Sequence, residues 1–321
     1  MATHDARDLE LKIDPSTLKP LYKTKVHRHV LAMLFDWIVI FAAIYWCIQF
    51  FNPFTYLLAV IIIGARMHAL AILMHDATHY RFLKNRKWND LLTNLLTMYP
   101  IFTSIEQYRQ NHLRHHRHLN TEHDPDWVAK LGKRAFRFPK TKLEFLGTVF
   151  SYLVLYQGIM DAVWFLKRFG SDDKVKDKKS GIKWVRTFFY VALFTILTIA
   201  GWWKYYALFW IVPYLSTFFM FQYIRSVAEH FGDLAYDDLL TSTRTVKPNL
   251  IERFFIAPHQ VGYHLEHHLY PGVPFYNLPE LHKVLLQDSS YEGQAHITYG
   301  YVKGLLNELG EQNTAAEVQA S

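Results

Sequence analysis

The chain has 321 residues, of which 51% are hydrophobic and 17% aromatic, and a formal net charge of +7. Its single cysteine, Cys47, excludes an intramolecular disulfide and a cysteine-built metal site, and its apolar surroundings give it the role of a small buried residue. The positive balance suits a membrane surface or an acidic partner; no nucleic-acid motif accompanies it, and nucleic acid is not an expected partner.

Residues 1–29 are polar, show no secretory signal pattern and read as a cytosolic N-terminal segment. Val30 to Phe51 is almost continuously apolar, interrupted by Asp36, and Asn52-Pro53 makes a turn into a second apolar run, Phe54 to Met74. At about 1.5 Å per residue each run can cross a hydrocarbon core of about 30 Å. "HDATH" at 75–79 follows directly. Leu91 to Ile105 is apolar but short, and Pro100 interrupts it; "HLRHH" at 112–116 and "NTEHDPDW" come next. Leu143 to Leu166 is long enough to span but carries Glu144, Gln157 and Asp161. A crossing there would put the later histidines on the opposite face from the earlier ones, so an in-plane or re-entrant segment is expected. "SDDKVKDKKSG" at 171–181 reads as a solvated loop.

A second pair of apolar runs, Val185 to Trp203 and Tyr205 to Ile224, meets at Lys204. His230 lies just past it, and "HLEHH" occupies 264–268. Between Arg81 and Lys183 there are 20 Lys and Arg residues, which places that segment, and with it the histidines, on the cytosolic face. The predicted fold is an all-α integral membrane protein. Four spans, 30–51, 54–74, 185–203 and 205–224, form two hairpins in a domain covering 30–290, and a cytosolic helical cap holds a di-metal site. Four such runs exceed what a soluble chain of this length buries. Residues 291–321 form a C-terminal cytosolic segment, with too little apolar content after Gly310 to fold.

Histidine is the anomaly, with 18 in the chain. On a helix His75 and His79 (i, i+4) share a face, as do His112, His115 and His116 (i, i+3, i+4) and His264, His267 and His268. Arg114 and Glu266 fall on the opposite sides. Eight imidazoles are too many for one ion, since zinc takes about four ligands; they suit two metals with a position left open. A nitrogen-rich, thiolate-free site at a membrane surface reads best as two irons handling dioxygen. His230 is a ninth candidate ligand. Asp76, Asp124, Asp126, Glu229 and His259, close by in sequence, are candidates to hold ligand imidazoles by their second nitrogen. His68 sits too far from His75 to share its metal. His4, His27, His29, His282 and His296 read as surface residues. Arg66, in mid-span, is expected to snorkel, pack against polar protein or line a substrate path.

The three boxes in this order between two apolar hairpins, with "NTEHDPDW" after the second and "GYHLEHHLYPGVPFYNLPELH" around the third, resemble the membrane fatty acid desaturase and hydroxylase superfamily over roughly residues 30 to 290. "AEHFG" resembles that family's additional histidine motif. The resemblance implies a helical fold with a non-haem di-iron centre held by the eight box histidines and His230. It implies use of dioxygen and two external electrons to break an unactivated C–H bond of an alkyl chain, most readily fatty-acyl desaturation. Hydroxylation of a lipid or alkane and carotenoid ketolation are the alternatives within the superfamily. The chain would be free or carried by phospholipid, CoA or carrier protein. His264 stands where front-end desaturases carry glutamine, which disfavours that subclass, and Ser226 stands where some relatives have asparagine. No fused cytochrome domain is seen, so a separate donor, a ferredoxin or b-type cytochrome, is expected, with the bacterial inner membrane or endoplasmic reticulum as the location. A metal or haem transporter is the non-enzymatic alternative, but its histidines would line the spans, and here only His68 does.

Overall fold

The computed structural model describes residues 11, 13–171, 182–236 and 238–309. The predicted solvated loop (beyond Ser171) and the tail from Gly310 lie outside the described residues. Among the described residues, three helices are long and apolar enough to cross a membrane: α1 (Val26–Gln49), α2 (Pro53–Thr78) and α7 (Trp203–His230). Between α2 and α7 lie α3 (Ile105–Arg117), α4 (Lys142–Leu153), α5 (Tyr156–Ser171) and α6 (Ile182–Ile199); α8 (His264–Leu269) follows.

Local chemistry explains these boundaries. Asn52 caps α2, accepting from the Phe54 and Thr55 amides, while Thr55 Oγ1 accepts from the Asn52 amide and Pro53 occupies the first turn. The helix then runs unbroken to Thr78, which sets the first histidine box on its last turn. The helix α6 stops at Ile199, short of the predicted 203, because Gly201 adopts φ +66 and the Trp202 and Gly201 amides fold back on the Leu197 and Thr198 carbonyls. It is accordingly shorter than the other three span candidates. The predicted 143–166 segment is two helices, α4 and α5, bent by 77°, as a broken span or re-entrant loop would be. The last span extends past the predicted 224, so His230 ends the helix rather than following it.

Burial separates the two leading helices. Within their most apolar windows α2 is 78% buried and α1 only 28%, so α2 is the central post and α1 a peripheral one. On α1 the buried positions Met33, Asp36, Ile40, Ala43 and Cys47 form a stripe, while Leu31, Phe35, Ile38 and Phe41 face outward. Two short strands depart from the all-α expectation: β1 (Thr245–Lys247) pairs in parallel with β2 (Ile297–Tyr299). Beyond them Glu308 bonds Arg244 and Thr298, and Leu309 accepts from the Lys140 amide. The chain from 291 to 309 is thus packed onto the body.

Asp36, 0% exposed, joins α1 to two other elements. It accepts from Arg66 Nη1 of α2 at 3.1 Å and lies 2.7 Å from Nε2 of His259. Arg66 also stacks 4.2 Å from the Phe254 ring centre, so it packs against protein rather than snorkelling. His259 and Gln260 both have left-handed backbones, at φ +51 and +59, on the turn that leads into α8. Such conformations are costly for residues other than glycine and persist where neighbours hold them. Replacing Asp36 by alanine leaves the buried guanidinium uncompensated and is expected to destabilise the protein by about 3–5 kcal/mol. Thermal unfolding in detergent checks this; the D36A/R66M pair, with both charges gone, is expected to recover most of the loss.

Candidate metal centre

The three boxes and His230 converge at the ends of α2, α3, α7 and α8. His75 lies in the last turn of α2 and His79 is its C-cap; His112, His115 and His116 lie on α3, whose Ser104 caps its start; His230 ends α7; His264, His267 and His268 fill α8. All nine are buried or half-buried, and they divide into two groups, five (His75, His79, His112, His116, His267) and four (His115, His230, His264, His268). Within each group the ligand nitrogens lie within 4.8 Å of one another.

Inside each group Nε2 atoms face Nε2 atoms. His112 Nε2 is 2.9 Å from both His79 and His116 Nε2, and His267 Nε2 is 3.0 Å from His116. In the other group His264 Nε2 lies 2.9 Å from His230 and 3.0 Å from His268. A ring nitrogen offers one proton or one lone pair, so one that meets two others cannot satisfy both by hydrogen bonding. A cation among them can. With bonds of about 2.1 Å, two nitrogens at right angles on a metal sit about 3.0 Å apart. The donor sets therefore fit a metal ion each. Burial, ahead of neighbouring cationic groups, holds His79 down to about 3 and His112, His116, His264, His267 and His268 well below the ordinary imidazole value. Burial thus favours their neutral form, which leaves a ring lone pair to bind a metal.

The proposed supporting residues separate in space. Asp124 Oδ2 lies 2.8 Å from His115 Nδ1, while Oδ1 caps the following turn at Asp126 and Trp127. Glu229 Oε1 is 3.5 Å from His264 Nδ1, close but without a hydrogen bond, and its other oxygen is 3.3 Å from Arg225 Nε. The other three are engaged elsewhere. Asp76 accepts from the Phe275 amide at 3.1 Å, Asp126 pairs with Lys130, and His259 is committed to Asp36. Adjacency in sequence misleads there because neighbouring helical side chains point in different directions. Two histidines expected at the surface are buried: His29, 2% exposed, stacks on Phe82, and His282, 5% exposed, bonds Glu266. Glu266, on the back of α8, also accepts from Tyr291 and Thr245, and so anchors the third box to β1 and the C-terminal helices. Only long-range packing brings these together. Tyr108, stacked on His112 with centroids 5.2 Å apart, was reachable from its i, i+4 spacing.

A chamber of about 330 Å³ opens against members of both groups, including His75, His112, His230 and His264. Ala71, Phe219 and Tyr223 line its apolar part.

Residues 51–300 match the model of the family described as fatty acid desaturase. The chain is 32% identical over 283 residues to a dihydrorhizobitoxine desaturase of Bradyrhizobium elkanii, covering 80% of this chain and 77% of that one. It is 26% identical over 256 residues to an sn-1 oleoyl-lipid 12-desaturase of Anabaena variabilis (73% and 69% covered). With an omega-3 fatty acid desaturase of Caenorhabditis elegans it shares 27% over 286 residues (79% and 67%). The chain belongs to the fatty acid desaturase family and is an oxidoreductase of that type.

Asp124→Asn keeps the turn-capping oxygen but presents an amide to His115 and to the Asn120 backbone N–H, which both meet Oδ2. It is expected to weaken metal retention about 10–100-fold and to cost about 1–3 kcal/mol of stability for the lost Asn120 bond. Metal remaining after dialysis against a chelator, compared at equal fraction folded by thermal unfolding, measures it.

Proposed function

We propose that this protein is a membrane di-iron desaturase, removing two hydrogens from a saturated carbon–carbon bond of an acyl chain with dioxygen and two electrons from a separate donor. The observation that carries the reading is the division of nine imidazoles into two adjacent groups, both opening on one chamber. An all-nitrogen donor set with no thiolate suits iron. Bound there, the metal pair would supply the oxidising power for C–H cleavage. His75, His79, His112, His116 and His267 would hold one ion, and His115, His230, His264 and His268 the other. Asp124 and Glu229 would orient His115 and His264. The chamber walls would hold the chain in register beside the histidines. Names among the relatives span an oleoyl lipid and dihydrorhizobitoxine, so family membership alone leaves the substrate open.

The topology we propose has α1–α2 and α6–α7 as membrane hairpins and α4–α5 as a re-entrant element, with every histidine box on the basic cytosolic side. The 20 Lys and Arg between Arg81 and Lys183 support that side. Cysteines placed singly at exposed Lys204 and Arg114 are expected to react with a membrane-impermeant reagent from opposite faces of sealed vesicles; reaction from one face would refute the arrangement.

Elemental analysis and Mössbauer spectroscopy of detergent-purified protein are expected to find about two irons per chain. Product mass then separates the chemistry: a loss of two hydrogens marks desaturation, a gain of oxygen marks the hydroxylase or ketolase alternative. Folded, iron-supplied protein with less than about one metal per chain would overturn the di-iron reading.

A further inference from the structure

Residues 249–260 reach the third histidine box along the flank of the two leading helices, and three contacts fix the level at which they do so. The centre of the Phe254 ring lies 4.2 Å from the Arg66 guanidinium carbon, the Ile256 carbonyl is 3.1 Å from His68 Nε2, and His259 Nε2 is 2.7 Å from Asp36. At about 1.5 Å per residue, Asp36 is about 9 Å along the apolar run of α1 from Val30. His68 and Arg66 are about 9 and 12 Å back along the apolar run of α2 from Met74. Three side chains on two helices thus report one depth. The segment does not cross. It enters from β1, turns back at His259 and Gln260, and leaves into α8.

At that depth its outward side is apolar. Leu250 is 81% exposed and Ile251 72%, more than Leu31 and Ile38 on the outward stripe of α1, at 62% and 64%. Glu252, buried beneath them, accepts from the Asn249 amide at 3.0 Å and from the Val302 amide at 2.8 Å. That junction brings a second exposed pair, Tyr299 and Val302, to the same edge. Apolar side chains exposed together in this way mark an interaction surface.

Two observations identify what covers it. The depth matches that of an interfacial amphipathic element, which buries its apolar side about 5–10 Å into the boundary between headgroups and acyl chains. The edge also continues the outward face of α1. The guanidinium that holds Phe254 lies 6.0 Å from the centre of the Phe35 ring, and Phe35 is exposed on that face.

We propose that the helix Leu250–Phe255 and residues 299–302 form a membrane anchor that dips into the bilayer without crossing it. Its occupant is the acyl layer of the leaflet on the histidine side. Leu250, Ile251 and Val302 enter that layer, and Tyr299 stands at headgroup level with its hydroxyl in water. The anchor supplies a lipid contact that neither hairpin supplies. Because the same stretch runs through His259 into α8, the lipid surface sets the height of the third box against the first, which α2 carries. This rests on the proposed topology, in which α1 and α2 span.

The test places single cysteines at Ile251→Cys and Val302→Cys in a Cys47→Ala background, each carrying an environment-sensitive nitrobenzoxadiazole label. The full-length protein is held in phosphatidylcholine nanodiscs. Quenching is read with lipid spin-labelled near the headgroup and, separately, with aqueous iodide. Ile38→Cys is the reference for a lipid-facing position and Arg114→Cys for a water-facing one. Melting temperature and metal content verify the fold of each variant. Labels at Ile251 and Val302 are expected to be quenched by the lipid as strongly as at Ile38, and to lose most of the iodide quenching seen at Arg114. Iodide quenching equal to that at Arg114, with Ile38 still quenched by lipid, would overturn the anchor and leave the spans standing. Protection from both quenchers would mean that protein covers the edge, and would overturn lipid as the occupant. Iodide quenching at Ile38 itself would overturn the topology and the anchor together.

Discussion

Nitrogen against nitrogen at 2.9–3.0 Å is the contact on which the rest of this structure depends. Neutral imidazoles so placed cannot all satisfy one another by hydrogen bonding unless a cation lies among them. It exists because each histidine is fixed from behind by the element that carries it. Three of those elements, α2, α3 and α7, are long helices whose ends meet. The fourth, α8, is six residues long and cannot hold itself in place by length.

The weakest of these elements has the most support. Its start follows the left-handed turn at His259 and Gln260, tied through Asp36 to the two leading helices. At Gly262 a Cβ would fall 2.3 Å from the Val246 carbonyl oxygen, so only glycine lets the chain pass β1. Glu266 then bonds His282, Tyr291 and Thr245 behind the box. A polar network of this kind is costly when partly satisfied and rigid when complete. Here it carries the strain of a turn on one side and the crowding of imidazoles on the other.

The same helices set the chamber. A metal site at the end of an apolar helix, as proposed here, would serve a chain only if the helices part locally to admit it. They part around Ala71 and Phe219 and close again at Gly64 and Thr217. Small residues let the backbones meet there, as in other membrane helix contacts. Two π-helical turns in α7, at Ala207–Ile211 and Tyr214–Phe218, lead up to Phe219. The second carries Thr217 onto Gly64. One helix thereby supplies the closing contact, the apolar wall and the candidate ligand His230.

Much of this was legible in the amino-acid order. Long apolar runs report spans because lipid demands them, and i, i+3, i+4 histidines report a shared face because helical geometry is local. Those two signals named eight of the nine histidines and three of the four span candidates at nearly full length, His230 being added from its place after the last apolar run and its family motif, and they led to the family that the comparisons establish. Asp124 was within reach because it lies nine residues from the histidine it holds. The tertiary structure alone decided how the nine divide into five and four, since that depends on rings from different helices sharing a point. It alone decided that His259 serves Asp36, 223 positions away in the chain, and that His282 serves Glu266 from inside the fold. The chamber belongs to the same class. It depends on the side chains that two helices bring together across 157 residues, a distance over which local periodicity carries no information.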